Sequence, residues 1–226
     1  MKKVYFISGT MCTIDLWQFV FPKLNNVIPV FIDITPANSF DEINTIIFNK
    51  IEEPAIIVGF SLGGFSAMNF AIHHPNKVKK LIIVAANTNG LNTKEIELRK
   101  STIAFLEKHK YKGISKARIQ QFLHPKNHQN EKITSIIKKM DEVLGKNVLI
   151  RQLKATSLRL AISDALLKSV VPIIFISAEN DALIPIKNVK EFAKKIPKGK
   201  HITIKNCGHM IPLEKPNELS QILNML

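Results

Sequence analysis

Cysteine is scarce: 226 residues contain only Cys12 and Cys207. Two thiols are too few for a disulfide scaffold, and they lack the paired spacing of a metal site. Long apolar runs are missing as well. No stretch reaches 18 uninterrupted apolar residues, so no membrane span is expected. A run of only four apolar residues, Val4 to Ile7, leads into Ser8-Gly9. That core is shorter than a secretory signal requires, and a cytoplasmic location is the expectation. There is no Gly-rich phosphate loop followed by Lys-Ser or Lys-Thr, and no cluster at metal-ligand spacing. Neither a cofactor nor a metal is therefore expected. Aromatic residues make up 7% of the chain. Its most basic stretch offers only Phe105, Tyr111 and Phe122, too few for base stacking, so no specific nucleic-acid partner is expected.

What is present is a globular composition, 46% hydrophobic and 22% charged. Such a chain can bury enough apolar surface to offset its conformational entropy. Its length suits one domain, or one domain with an insertion. Lys and Arg number 32 against 18 Asp and Glu, a net charge of +14. The excess is concentrated: residues 91–168 hold 17 basic and 7 acidic residues. Two readings stand side by side. The segment is a surface for an anionic partner, or its Lys-rich helices are simply solvated.

Short runs rich in Val and Ile recur at residues 4–8, 27–33, 55–60, 80–85, 171–177 and 200–205. They read as strands apolar on both faces, as a parallel sheet covered by helices requires. Residues 40–51, 65–73 and 189–195 have helical periodicity between them. Alternation of this kind predicts a layered α/β fold with right-handed crossovers. Pro75 closes the helix that starts near Gly63. About 80 residues between the fourth and fifth strands contain no strand pattern, too many for a bare loop. Residues 93–109, 116–122, 133–144 and 147–158 look helical. The expected division is a core of residues 1–87 and 169–226 with a helical cap at 88–168.

The sharpest local signal is Gly59-Phe60-Ser61-Leu62-Gly63. A strand ends there and a helix begins, the context of a nucleophile elbow. Ser61 would project above the sheet, and the Leu62 amide would face a developing oxyanion. A serine hydroxyl needs a base to take its proton. Among seven histidines, His209 follows the last strand in Cys207-Gly208-His209-Met210-Ile211-Pro212. It lies at the carboxyl edge of the sheet, where ligands bind in such folds. By its local sequence it is either a loop histidine or a base; paired with Ser61, the base is favoured. Asp181, past the fifth strand, would orient the imidazole. Glu179 is the competing acid, Asp33 a weaker one, and Asp164 lies at the wrong end of the sheet. The turn Ser8-Gly9-Thr10 is either a plain glycine turn or the source of a second oxyanion donor, the Thr10 amide. Cys12 has no elbow and no evident base, which argues against a thiol nucleophile. Cys207 reads as a small buried residue.

These motifs, with Asn180-Asp181-Ala182-Leu183-Ile184-Pro185 and Gly208-His209-Met210, resemble the α/β-hydrolase superfamily. Within it the chain is similar to small carboxylesterases of the pimeloyl-[acyl-carrier protein] methyl ester esterase type. The resemblance implies a minimal six-stranded parallel sheet, with the residues near 88–168 as a lid over the pocket. It implies ester or thioester cleavage by Ser61, His209 and Asp181, with Leu62 and Thr10 as oxyanion donors. It also implies Met11, Trp17 and Met210 as substrate contacts. The family's histidine at the oxyanion turn is replaced by Ser8. The expected partners are a small-molecule ester and, through the basic cap, an acidic acyl carrier protein. Carbon–carbon hydrolysis, acyl transfer or lyase chemistry on the same residues, and a non-catalytic binding module on this fold, are the alternatives.

Overall fold

The computed structural model describes residues 1–226. Six parallel strands make one sheet: β1 (Lys2–Ile7), β2 (Val27–Ile32), β3 (Ala55–Phe60), β4 (Val78–Val84), β5 (Ile173–Ala178) and β6 (Gly199–Ile204). Their spatial order is β2-β1-β3-β4-β5-β6. All six apolar runs are strands, with ends displaced by one or two residues because ladder pairing, not hydropathy, sets where a strand stops. The central strand β3 is buried at every position. Successive residues serve opposite layers: Val4 and Phe6 pack on one face of the sheet, Tyr5 and Ile7 on the other. This is the pattern of a sheet covered on both sides.

The strand order reverses between β1 and β3. The chain leaves β1 toward β2 and returns on the other side, so the turns after β1 and β3 diverge. Such a switch point opens a crevice at the carboxyl edge. Gly9 and Ser61 stand on its two rims.

Helices α1 (Phe40–Lys50), α2 (Leu62–His73) and α7 (Ile186–Lys195) match the expected segments. The strand-free stretch folds as α3 (Thr93–Lys108), α4 (Lys116–Phe122), α5 (Glu131–Thr156) and α6 (Ser163–Leu167). The two helices expected at 133–144 and 147–158 are the two halves of α5, which meet at Gly145, a non-helical residue with φ 67° and ψ −176°. Glycine alone adopts that conformation without a Cβ clash. α3 starts with a reciprocal cap between Asn92 and Glu95, worth about 1 kcal/mol. Two short helices at the C-terminus, α8 (Ile211–Glu214) and α9 (Pro216–Asn224), were not legible in the periodicity. Leu219 and Leu223, one turn apart, bury α9 against the sheet layer that includes Val4 and Trp17.

The α3–α5 segment touches the rest of the chain at the loops after β1, β2 and β6. Gln152 reaches Met11, Arg151 reaches Thr35, and the 122–127 stretch packs on the loop around Gly208. The segment enters and leaves through a paired neck. Ile162 donates its amide to the Thr88 carbonyl at 3.0 Å, Leu91 donates to Arg159 at 3.1 Å, and the Thr88 and Ser163 hydroxyls meet at 2.8 Å. Past the neck, α6 buries Leu166 in the core beside Val171 and Ile173.

Candidate active site

Ser61 sits between β3 and α2 with φ 50° and ψ −114°. A non-glycine residue held there stores about 1–3 kcal/mol of strain, which the surroundings must offset. Its amide donates to the Val84 carbonyl at 2.9 Å, and its carbonyl accepts the Phe65 amide at 3.0 Å. The flanking glycines make the turn possible. A Cβ at Gly59 would lie 2.4 Å from the Gly63 oxygen, and one at Gly63 would lie 2.3 Å from the Ile7 oxygen. The elbow thus depends on backbone packed against backbone, which explains the residue type at both positions.

Three expected side chains converge at this edge. His209 Nε2 lies 3.1 Å from Ser61 Oγ, and His209 Nδ1 lies 2.8 Å from Asp181 Oδ2. A carboxylate only accepts, so Nδ1 carries the proton and Nε2 is left to accept from the serine hydroxyl. The other Asp181 oxygen, Oδ1, accepts the Leu183 and Ile184 amides at 2.8 and 3.0 Å. Each carboxylate oxygen is therefore committed to one task, the first to the loop and the second to the imidazole. The His209 and Asp181 side chains are 4% and 1% exposed, so little water competes for the pair. The rings of Phe60 and Phe122 flank the imidazole, with centroids 5.1 and 6.1 Å away. This set can shuttle a proton from a hydroxyl to an imidazole whose cation a buried carboxylate stabilises.

The competing acids are engaged elsewhere. Glu179 accepts the Asn206 amide at 3.0 Å, and the Asn180 amide donates to the Cys207 carbonyl at 3.0 Å. These two bonds lace the Asp181 loop to the His209 loop. Asp33 closes a local turn onto the Thr35 amide at 2.9 Å, and Asp164 lies in α6.

The turn after β1 lies against the elbow, where a Cβ on Gly9 would come within 3.1 Å of Ser61 Cβ. The Thr10 amide meets no acceptor in the protein, and Leu62 is the first residue of α2, where amides lack intrahelical partners. The Met11 amide is already taken, donating to Gln152 Oε1 at 2.9 Å. Ser8 occupies the position of the family's histidine and has a clear task. Its hydroxyl accepts from Trp17 Nε1 at 2.9 Å and donates to the Thr13 carbonyl at 3.1 Å.

The expected substrate contacts fare differently. Trp17 has no exposed surface. It packs edge-on against Phe6 at 5.0 Å and braces the turn from beneath. It is thus placed in the core, because its indole N–H finds its partner on Ser8. Met210 is buried too, its amide directed at the Phe122 carbonyl at 3.3 Å. Met11 is half-buried with φ 55° at the rim.

Sequence reasoning missed two residues beside the site. Gln152 reaches the turn from α5; a polar residue on that helix's buried face was the only signal. Glu214 Oε2 accepts the His124 amide and Asn127 Nδ2, each at 2.8 Å. It ties the α4–α5 connection to the His209 loop. Gly208 allows the close approach, since a Cβ there would lie 2.4 Å from the His124 nitrogen. Burial pushes the Cys12 thiol up to about 12 and the Cys207 thiol up as well, so neither is a thiolate at neutral pH. Two open clefts lie away from the three side chains. One, of about 180 Å³, is lined by Asn87, Ser163 and Phe192; the other, of about 560 Å³, by Phe19, Asn130 and Glu214. No helix is long and apolar enough to cross a membrane.

Residues 49–216 match the family model described as alpha/beta hydrolase fold. A pimeloyl-[acyl-carrier protein] methyl ester esterase of Wigglesworthia glossinidia brevipalpis is 29% identical over 238 residues, covering 93% of this chain and 88% of its own. The enzyme of that name from Neisseria meningitidis serogroup C is 33% identical over 95 residues, 38% of this chain and 37% of its own. Among solved structures, a thermophilic esterase from Thermogutta terrifontis superposes with a TM-score of 0.84 at 16% identity, covering 100% of this chain and 89% of that one. A bromoperoxidase from Bacillus anthracis does so with 0.81 at 17% identity, covering 99% and 91%. The family model spans most of the sequence and the fold similarity spans all of it: the chain belongs to the α/β-hydrolase family.

Proposed function

We propose that the protein hydrolyses carboxylic esters or thioesters through an acyl-enzyme on Ser61. The observation that carries this is the buried hydrogen-bonded chain from Asp181 through His209 to Ser61. Ser61 Oγ attacks the ester carbonyl as His209 Nε2 takes its proton. The Leu62 and Thr10 amides hold the oxygen of the tetrahedral intermediate. His209 then returns the proton to the leaving alcohol or thiol, and Ser61 keeps the acyl group. Water enters, gives a proton to the same nitrogen and attacks the acyl carbonyl; His209 passes that proton to Ser61 Oγ as the acyl–oxygen bond breaks and the acid leaves. Asp181 holds the imidazole in one tautomer and stabilises its cation throughout.

In this reading residues 88–168 form a lid, hinged at the Thr88–Ser163 neck. The substrate is an ester carried on an acidic acyl carrier protein, such as a pimeloyl methyl ester. Two observations support that finer step: the basic excess of residues 91–168 and the name of the Wigglesworthia relative.

A fluorophosphonate probe is expected to label the native protein and to spare Ser61→Ala. On a series of p-nitrophenyl esters, the same substitution is expected to lower the rate by several orders of magnitude. Equal labelling of both proteins would remove Ser61 as the nucleophile.

A further inference from the structure

The inner face of α5 changes character at the Gly145 break. Before it, Ile133, Ile136, Ile137 and Met140 are buried with a single acid, Asp141, both of whose oxygens are taken by the Tyr111 hydroxyl and the Ile114 amide; after it, Gln152 and Thr156 are buried. Thr156 Oγ1 donates to the Gln152 carbonyl at 2.7 Å and accepts from the Arg99 guanidinium of α3. Arg159, just beyond α5, lies over the Phe65 ring at 4.8 Å. Phe65 is one helical turn from Ser61. Arg118 stacks on Phe122, beside His209, at 4.7 Å. A band of donors therefore runs from the His209 side of the site to the Ser61 side.

Two of these donors lack acceptors, whereas Arg99 donates to Thr156 Oγ1 and Arg118 to Gln121 Oε1. Gln152 is 3% exposed and its Nε2 has no partner; Arg159 Nε is buried without one. None of the ion pairs in the protein includes Arg99, Arg118 or Arg159. The acid whose charge Arg99 and Arg159 feel is Glu95, held in its own helix cap by the Asn92 amide. Burial lowers the pKa of all three, Arg159 to about 10 with Arg99 adding repulsion. All three stay charged at neutral pH. Partly buried cations and an unpaired amide N–H are costly to maintain unless a ligand supplies oxygen acceptors.

We propose that Gln152 Nε2, Arg99 and Arg159 form an anion subsite that seats a terminal carboxylate or phosphate of the substrate while its ester lies at Ser61. This rests on the ester-hydrolase reading alone, not on the carrier-linked substrate, whose acyl chain has no free end; it adds that the substrate is a small molecule with a charged tail. Arg118 adds to the positive field, its charge being felt by Arg99. A guanidinium fork matches either oxyanion in two-point contact.

Three p-nitrophenyl esters of equal length separate the cases, one ending in a methyl group, one in a carboxylate and one in a phosphate. The native protein is expected to favour one charged tail over the neutral one in kcat/KM by roughly tenfold to a hundredfold, the worth of a charge-assisted hydrogen bond. The tail that gains identifies the anion. Arg159→Met is expected to bring that ratio toward one, and Arg159→Lys to restore part of it, with thermal melts confirming that both fold. Turnover of the neutral ester with no preference for either charged tail overturns the subsite and leaves the hydrolase reading standing. Calorimetric titration with adipate and with inorganic phosphate needs no turnover. Saturable binding weakened tenfold or more by Arg159→Met is expected, and no saturable binding of either anion to the native protein rejects the subsite even if no ester reacts.

Discussion

Asp181 divides its work between two oxygens, and that division makes it sensitive to a single-atom change. Asp181→Asn keeps the shape but replaces one oxygen by an N–H₂ group. An amide nitrogen facing His209 Nδ1 favours the tautomer with its proton on Nε2, which cannot accept from Ser61. We expect kcat on a p-nitrophenyl ester to fall by roughly 10³–10⁴, with the melting temperature little changed. A loss under tenfold would mean that the aspartate only braces the loop. His201 on β6 shows a different residue-scale effect. Burial, and secondarily the charge of Lys190, hold it below its ordinary value of 6.5. Protonation therefore favours the unfolded chain. Its contribution to stability is complete above about pH 6.5 and is lost as pH falls through the depressed folded-state value. The drop in melting temperature from pH 7.5 to pH 5 is expected to be smaller in His201→Gln than in the native protein.

The loops after the strands are braced by elements remote in sequence. The 122–127 connection between α4 and α5 is fastened to the His209 loop by Glu214, the last residue of α8, and by backbone packing at Gly208. Removing the carboxylate leaves the His124 amide and Asn127 Nδ2 without their acceptor, a cost of about 1–3 kcal/mol. Glu214→Ala is expected to raise amide hydrogen exchange across residues 122–130 and to lower kcat, because the imidazole loses part of its support. Unchanged exchange in that stretch would show that Gly208 packing alone suffices. α5 also shows how one residue divides an element: the half before Gly145 shares the apolar layer with Leu213 and Trp17, whereas the half after it buries Gln152 and Thr156.

At the scale of the molecule, charge is the dominant asymmetry. The net charge is +14, and most of the excess lies in the segment that folds over the carboxyl edge of the sheet. Steering by such a surface weakens as salt shortens the Debye length, about 10 Å at 0.1 M and about 3 Å at 1 M. If the substrate rides on an acidic carrier protein, kcat/KM for the carrier-linked ester is expected to fall steeply between 50 and roughly 500 mM salt. The value for a short neutral ester should stay nearly flat. Parallel salt profiles would assign the basic surface to solvation alone.

Much of the architecture was local and therefore legible. Six runs became six strands: the central β3 is buried at every position, whereas the edge strand β6 buries only Ile204. The elbow was readable because Gly59 answers a backbone contact only four residues away, at Gly63, although Gly63 itself answers the distant Ile7 carbonyl. Ser61, Asp181 and His209 were nameable because each follows a strand at the same edge. Other features depended on parts of the chain that meet only on folding. Glu179 and Asp181 are two residues apart and chemically alike, and the fold alone directed one to the Asn206 amide and the other to His209. Trp17 shares the turn's sequence neighbourhood, yet the Ser8 hydroxyl and the Phe6 ring drew it into the core. Gln152 carried only the weak signal of a polar residue on a buried helix face, and Glu214 none, because their partners lie 141 and 90 residues away. Short-range hydrophobic pattern and turn chemistry were enough to specify the sheet and the elbow; which polar group meets which was decided by long-range packing, since a buried donor must find its acceptor wherever the tertiary structure puts one.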